Sequence, residues 1–245
     1  MSYWLWKERV GPMCGRFTLT DPNADLAVQF NLPEIPDMQP RYNIAPTQPV
    51  AVVRTARESK SRELVMLQWG LIPFWAKDPK IGARMINARS ETAAEKPSFR
   101  AAFRRRRCLV IADGFYEWQK QNGNKQPFFI HLRDTRPFAF AGLWEHWEGP
   151  DDSIIESCTL LTCDPNKFLR SVHNRMPVIL DPEHYDLWLN PEVQEPDPLQ
   201  PLLRPYAAED MDAYPVSRYV NSPGNDSPKC IEPLPEAQHL PGFPG

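Results

Sequence analysis

Cys108-Leu109-Val110-Ile111-Ala112, Pro127-Phe128-Phe129-Ile130-His131-Leu132 and Phe138-Ala139-Phe140-Ala141-Gly142-Leu143 are three apolar runs of strand length, bounded by turn residues. Similar runs lie upstream at 50–54 and 64–69, and downstream at 158–163 and 177–180. Helix signals are fewer. Asp21-Pro22 and Asp181-Pro182 each set a capping residue before a proline at the first helical position. Leu26 and Phe30 then share one helix face, as do Tyr185 and Leu189. A third helix is read over 97–104. Strands outnumber helices and do not alternate with them, which excludes a doubly wound parallel sheet. The expected fold is a single mixed α+β domain on a curved, barrel-like, mainly antiparallel sheet, with short flanking helices and a proline-rich C-terminal tail.

Length and composition narrow the class further. The 245 residues suit one large domain or two small ones. No apolar run approaches the roughly 18 residues of a membrane span. Tyr3, Trp4, Leu5 and Trp6 are too short a run for a signal-peptide core. A soluble intracellular protein is expected. The five cysteines, Cys14, Cys108, Cys158, Cys163 and Cys230, contain no C-x-x-C pair and no zinc-like spacing with the histidines, so neither a disulfide scaffold nor a metal site is expected. The 28 prolines favour short elements and thicken at 191–205, read as a surface loop, and at 223–244, read as an extended tail. The net charge of −3 conceals an asymmetry. From Asp181 onward there are 12 acidic and 3 basic residues, which leaves +6 on residues 1–180. The basic side is densest over 84–107, where Arg84, Arg89, Lys96, Arg100 and Arg104 to Arg107 oppose Glu91 and Glu95. That density reads either as a face for a short polyanion or as a solvated helix end.

The chemistry centres on Met13-Cys14-Gly15-Arg16-Phe17. If Met13 starts the chain and is removed, Cys14 becomes a 1,2-aminothiol. Its amine (reference pKa about 7.7–8.0) and thiol (about 8.5) are both partly nucleophilic at neutral pH. The amine condenses with an aldehyde, and the thiol then closes on the same carbon to give a thiazolidine. Other polar islands interrupt the apolar runs: Arg41–Pro46, Ile86–Thr92, Asp113–Trp118 and Val172–Val178. Glu117, between Tyr116 and Trp118, reads as a buried acid–base carboxylate with a raised pKa, or as a strand-end carboxylate paired with a lysine such as Lys120. His173 reads as a proton shuttle or as a core histidine. Trp69, Phe74 and Trp75 precede the Arg84–Arg89 segment and offer either stacking platforms for bases or core packing.

Taken in order, these islands resemble the SRAP family, the SOS-response-associated peptidase domain proteins that shield abasic sites. The resemblance runs from Met13 to about Pro233. It implies that Cys14 crosslinks to the abasic sugar, that Asn87 holds its amine, that Glu117 is the catalytic carboxylate and that His173 shuttles protons. It also implies that Arg16, Asn43 and Arg89 contact the sugar and its phosphates, and that Trp75 and the Pro46 loop belong to a wedge against the strand. The implied partner is single-stranded DNA containing abasic sites. The implied protein is a bacterial, cytoplasmic monomer, nucleoid-associated when bound to DNA, without cofactor or metal.

The family pattern begins with Met-Cys, whereas here 12 residues precede Met13. Residues 1–12 are expected to be an extension, arising from an early-assigned start, a cloning remnant or a propeptide. Residues 13–235 are expected to form the domain and 236–245 a tail. A propeptide fits the autoproteolytic release of the N-terminal cysteine credited to the family, and Cys14, Glu117 and His173 would then act as a cysteine-type peptidase. A non-covalent reader of modified or single-stranded nucleic acid is the remaining alternative.

Overall fold

Five of the seven apolar runs become the walls of a barrel. The computed structural model describes residues 15–22, 26–56, 59–121 and 123–235. Its strands are β1 (Phe17–Leu19), β2 (Arg41–Ile44), β3 (Pro49–Thr55), β4 (Arg62–Trp69), β5 (Asn87–Arg89), β6 (Arg107–Ala112) and β7 (Gly114–Gln121). They continue with β8 (Asn124–Leu132), β9 (Phe138–Glu148), β10 (Ile154–Cys163), β11 (Met176–Pro177), β12 (Ile179–Leu180) and β13 (Met211–Pro215). The helices are α1 (Leu26–Phe30), α2 (Ser90–Ala93), α3 (Arg100–Arg105) and α4 (Tyr185–Leu189), with several 3₁₀ turns. None is long and apolar enough to cross a membrane.

Strands β10, β4, β3, β6 and β9 hydrogen-bond in that order, and β9 pairs back onto β10, closing a five-stranded barrel. The β10–β4 pair is parallel and the other pairs are antiparallel. Every residue of β6 is buried, as expected where one face lines the barrel and the other lies under helices. Trp188 of α4 covers that outer face and donates its indole N–H to the Cys108 carbonyl at 2.9 Å.

A second sheet, ordered β13-β8-β7-β1-β2 and antiparallel throughout, packs on the barrel. Phe17 of β1 is the joint, meeting Trp69 of β4 and Phe140 of β9 edge-on at 5.0 and 5.7 Å. Alternation along β7 then sorts its residues. Phe115 enters the main core, whereas Tyr116 and Trp118 point to the other face and pack with Phe129, Val216, Val220 and Cys230.

Six of the apolar runs lie in strands, and the seventh, 177–180, is divided between β11 and β12 with Val178 between them. Strands β1, β2, β5, β7 and β13 were not anticipated. They are short or rich in polar side chains, and all but β7, which forms a hairpin with β8, pair with strands distant in sequence. Leu26 and Phe30 are buried together on α1, and residues 23–25 ahead of them lie outside the described residues. Asp181 sits at an N-cap position, but its side chain makes no capping bond, and Pro182–His184 form a 3₁₀ turn before α4. The helix read over 97–104 is α3. Two other expectations need correction. The 191–205 loop buries Leu199, Leu202 and Leu203. Residues 223–235 are docked rather than extended: Pro228–Cys230 form a 3₁₀ turn, Cys230 is buried, and Val216 bridges Pro233. The Arg104–Arg107 run divides. Arg107 is buried with its guanidinium on the carbonyls of Phe103, Arg104, Trp188 and Asn190, and burial pushes its pKa down to about 10.

Candidate functional site

The polar islands meet where the second sheet packs on the barrel. Strand β1 lies between β2 and β7, so its N-terminal end runs out beside Glu117. The Arg16 carbonyl accepts the Tyr116 amide at 3.0 Å. Asp113 anchors this strand by accepting the Thr18 and Thr20 hydroxyls at 2.5 and 2.7 Å. Cys14 lies outside the described residues.

Glu117 is buried, at 3 % exposure, on the face of β7 opposite Tyr116 and Trp118. It faces Phe128 across the β7–β8 ladder. Phe128 in turn packs on Val172, next to His173. Gln119, two residues along the same face as Glu117, donates to the Ser171 carbonyl at 3.1 Å. The Val172–Val178 island therefore seats on the Glu117 face of the second sheet.

Strand β10 gathers the other two islands. Its Thr162 pairs with Arg89 of β5 on one side and with Pro177 of β11 on the other. Arg175 locks this junction. Its guanidinium grips both Glu91 oxygens at 2.6 and 2.7 Å, Asp164 at 2.9 Å and the Thr162 carbonyl at 2.6 Å. The Arg175 hydrogen bonds hold Glu91 below its ordinary pKa. The half-buried His173 accepts the Arg175 amide on Nδ1 at 3.2 Å, which leaves the imidazole proton on Nε2. Burial lowers the His173 pKa, and the positive charge of Lys125 adds to the shift.

The residues with expected DNA contacts separate into two groups. Asn43 is fully buried and acts as a clamp: its amide donates to the carbonyls of Val220, Ser222 and Asn225, and its Oδ1 accepts from Arg16 at 2.9 Å. Arg16 also bonds the Val220 and Asn221 carbonyls, and burial lowers its pKa. Asp226 completes the clamp by accepting the Tyr42 and Asn43 amides and pairing with Arg41. Arg89, by contrast, is exposed at the N-cap of α2. Pro46 lies in a turn tied to the barrel by the Thr47 amide on the Trp69 carbonyl. Trp69 is core, and its indole N–H donates to the Ile86 carbonyl just ahead of Asn87. Past Gly70, Phe74 and Trp75 are 57 and 47 % exposed. The turn at 46 and the start of β5 are thus both tied to Trp69, one through its carbonyl and the other through its indole.

A family model described as SOS response associated peptidase (SRAP) matches residues 13–223. The chain belongs to the SRAP family. The abasic site processing protein YoqW of Bacillus subtilis (strain 168) is 48 % identical over 224 residues, which span 90 % of this chain and 99 % of that protein. The abasic site processing protein HMCES of Xenopus tropicalis is 35 % identical over 223 residues, covering 79 % of this chain and 66 % of that protein. A Bacteroides thetaiotaomicron protein of known structure superposes with a TM-score of 0.79 at 26 % identity, covering 90 % of this chain and all of that one. Among the described residues, no three His, Cys, Asp or Glu side chains converge as metal ligands.

Three residues of this candidate site were not singled out from the sequence. Arg175 and Asp113 sit inside islands that were recognised, and an arginine or aspartate within such an island is the signal that would have found them. Asp226 carries no local signal, because the Tyr42 amide it accepts is 184 residues away in the chain.

Proposed function

We propose that the protein processes abasic sites in single-stranded DNA by a covalent step at Cys14, once that residue carries a free α-amine. The observation behind this reading is the meeting of the Asn87, Glu117 and His173 islands beside the N-terminal end of β1. The names of the relatives supply the substrate.

The α-amine adds to the aldehyde carbon of the ring-opened sugar and forms a carbinolamine. Loss of one water gives the Schiff base. The thiol then adds to the imine carbon, its proton passes to nitrogen, and a thiazolidine results. Glu117, withheld from water, takes the amine proton and returns it to the departing hydroxyl. His173, neutral with its proton on Nε2, hydrogen-bonds the sugar ring oxygen as the ring opens, and the proton lost by the C1 hydroxyl is the one that oxygen gains. Asn87 holds the amine. Arg89 meets the flanking phosphates, Arg16 and Asn43 shape the sugar subsite, and Trp75 with Pro46 wedges the strand. A second reading draws on the peptidase description of the family: the Cys14 thiol attacks the Met13 carbonyl, the Met13–Cys14 C–N bond breaks to release the α-amine and leave a thioester, and water then hydrolyses the thioester to free the thiol and release residues 1–13.

The test compares a chain beginning at Cys14, its Cys14→Ser variant and the 245-residue form on one abasic oligonucleotide. Denaturing gels and intact mass provide the readout. The first should give a stable adduct without reductant. The serine variant should give one only after borohydride trapping. The long form should give none until it loses residues 1–13. Glu117→Gln in the Cys14 form should slow the adduct by about 10²-fold or more. Equal crosslinking by the uncleaved long form would sink the thiazolidine route. Binding without any adduct in the Cys14 form would leave a non-covalent reader.

A further inference from the structure

A groove of about 620 Å³ opens between the exposed ring of Phe74 and α3, lined by Arg100, Arg104, Arg105, Arg106 and Glu145. We propose that this groove is a phosphate track for single-stranded nucleic acid, carrying the strand onward from the abasic nucleotide. The inference rests on the DNA reading above and adds a binding site to it.

Charge compensation is the first argument. Elsewhere Arg41, Arg54, Arg62, Arg136 and Arg175 each face a carboxylate within 3.0 Å. In the groove only Arg106 does, with Glu145 at 2.7 Å. Arg100, Arg104 and Arg105 are exposed and pair with no carboxylate among the described residues. Four guanidiniums against one carboxylate leave three positive charges around one concavity. His146, also at the groove, is turned toward Glu148 and Glu156 at 3.2 and 3.5 Å.

The local energetics point the same way. Arg100 and Arg104 are four residues apart on α3, an arrangement of like charges that opposes helix formation. They neither pack in the core nor cap the helix. An anion between them would remove the repulsion.

Phe74 supplies the second half of a single-strand site. It is 57 % exposed beside guanidiniums, and single strands are held by basic grooves with aromatic platforms on which bases stack. The loop that carries it is fixed rather than loose. The Trp147 indole N–H donates to the Ala76 carbonyl at 2.7 Å, and the Ala76 amide donates to Pro73 at 2.8 Å. Phe74 adjoins Trp75, so the groove shares one loop with the proposed wedge.

The experiment measures binding by fluorescence anisotropy as a function of salt. It uses an abasic oligonucleotide extended well beyond the lesion on both sides, and an intact single strand of the same length. The triple variant Arg100→Gln, Arg104→Gln, Arg105→Gln should bind both about fiftyfold more weakly at physiological salt and converge on the parent near 1 M. Its salt slope should be shallower by about 2, as expected for three lost phosphate contacts on a single strand. Phe74→Ala should weaken binding about fivefold or more and leave the slope unchanged. Parental affinity and slope in the triple variant would overturn the proposal. If the parent forms no abasic adduct yet binds intact strands in this arginine-dependent way, the abasic reading fails and the groove stands. If the parent binds neither strand, the groove fails as well.

Discussion

Replacing Arg175 by methionine tests the junction on which the site depends. The substitution keeps the apolar stem and removes a guanidinium that is 8 % exposed. Four hydrogen bonds go: two to Glu91, one to Asp164 and one to the Thr162 carbonyl. The side chains of Glu91 and Asp164 are 49 and 83 % exposed, so water takes over their solvation, and each pair is worth only about 0.2–1 kcal/mol. The buried Thr162 carbonyl has no such recourse and costs roughly 1–3 kcal/mol when its donor is removed. The expected loss is therefore about 2–4 kcal/mol, read as a lower urea midpoint at constant slope. A pH series adds a check on sign. Arg175 depresses the Glu91 pKa, so the stability from this contact is present above the ordinary carboxylate range and is lost as the pH falls through the depressed value. The methionine variant should show less of that acid-dependent loss. Arg175→Lys restores a charge but not the fork, and should recover part of the stability. The backbone amide of residue 175 that His173 accepts survives the substitution, so adduct formation by the folded methionine variant should slow only as far as the loosened junction displaces that amide. A parental urea midpoint would refute the anchoring role. Parental adduct rates in a destabilised variant would separate the anchor from the chemistry.

Two further outcomes follow from particular contacts. Burial and Lys125 hold His173 below its ordinary value, so the acid limb of adduct formation should lie below about 6.5, and Lys125→Met should move it upward by part of a pH unit. The same depression means that the unfolded chain binds the extra proton, so stability from this group falls as the pH drops from the ordinary histidine value through the lowered one. A limb unmoved by Lys125→Met would remove that residue from the shift. Gly70 has φ +127°, and a Cβ there would stand 2.6 Å from the Gly82 carbonyl oxygen. Gly70→Ala should cost about 2 kcal/mol or more, lower the melting temperature by roughly 4–8 °C and weaken DNA binding through the displaced Phe74–Trp75 loop. A parental melting temperature would show that the turn relaxes at no cost.

The sequence by itself determined the five barrel strands and β8 of the second sheet, because apolar runs between turn signals are local patterns, and hydrophobic burial acts on each wherever it lies. It also marked the islands around Cys14, Asn87, Glu117 and His173 by their chemistry. Tertiary structure alone decided which members of those islands face one another. Alternation along β7 turned Glu117 away from Tyr116 and Trp118 and onto the face where Phe128 meets Val172. Pairing of β10 with β5 and β11 set Arg89 and Pro177 on either side of Thr162. The basic run divided in the same way, with Arg107 drawn into the core by carbonyls from α3 and α4, while Arg100, Arg104 and Arg105 stayed in solvent. Asn43 and Arg16 form a clamp only because the C-terminal segment folds back across β2. Such pairings join residues far apart in the chain, and their strength depends on burial and hydrogen-bond geometry that arise only once the sheets close.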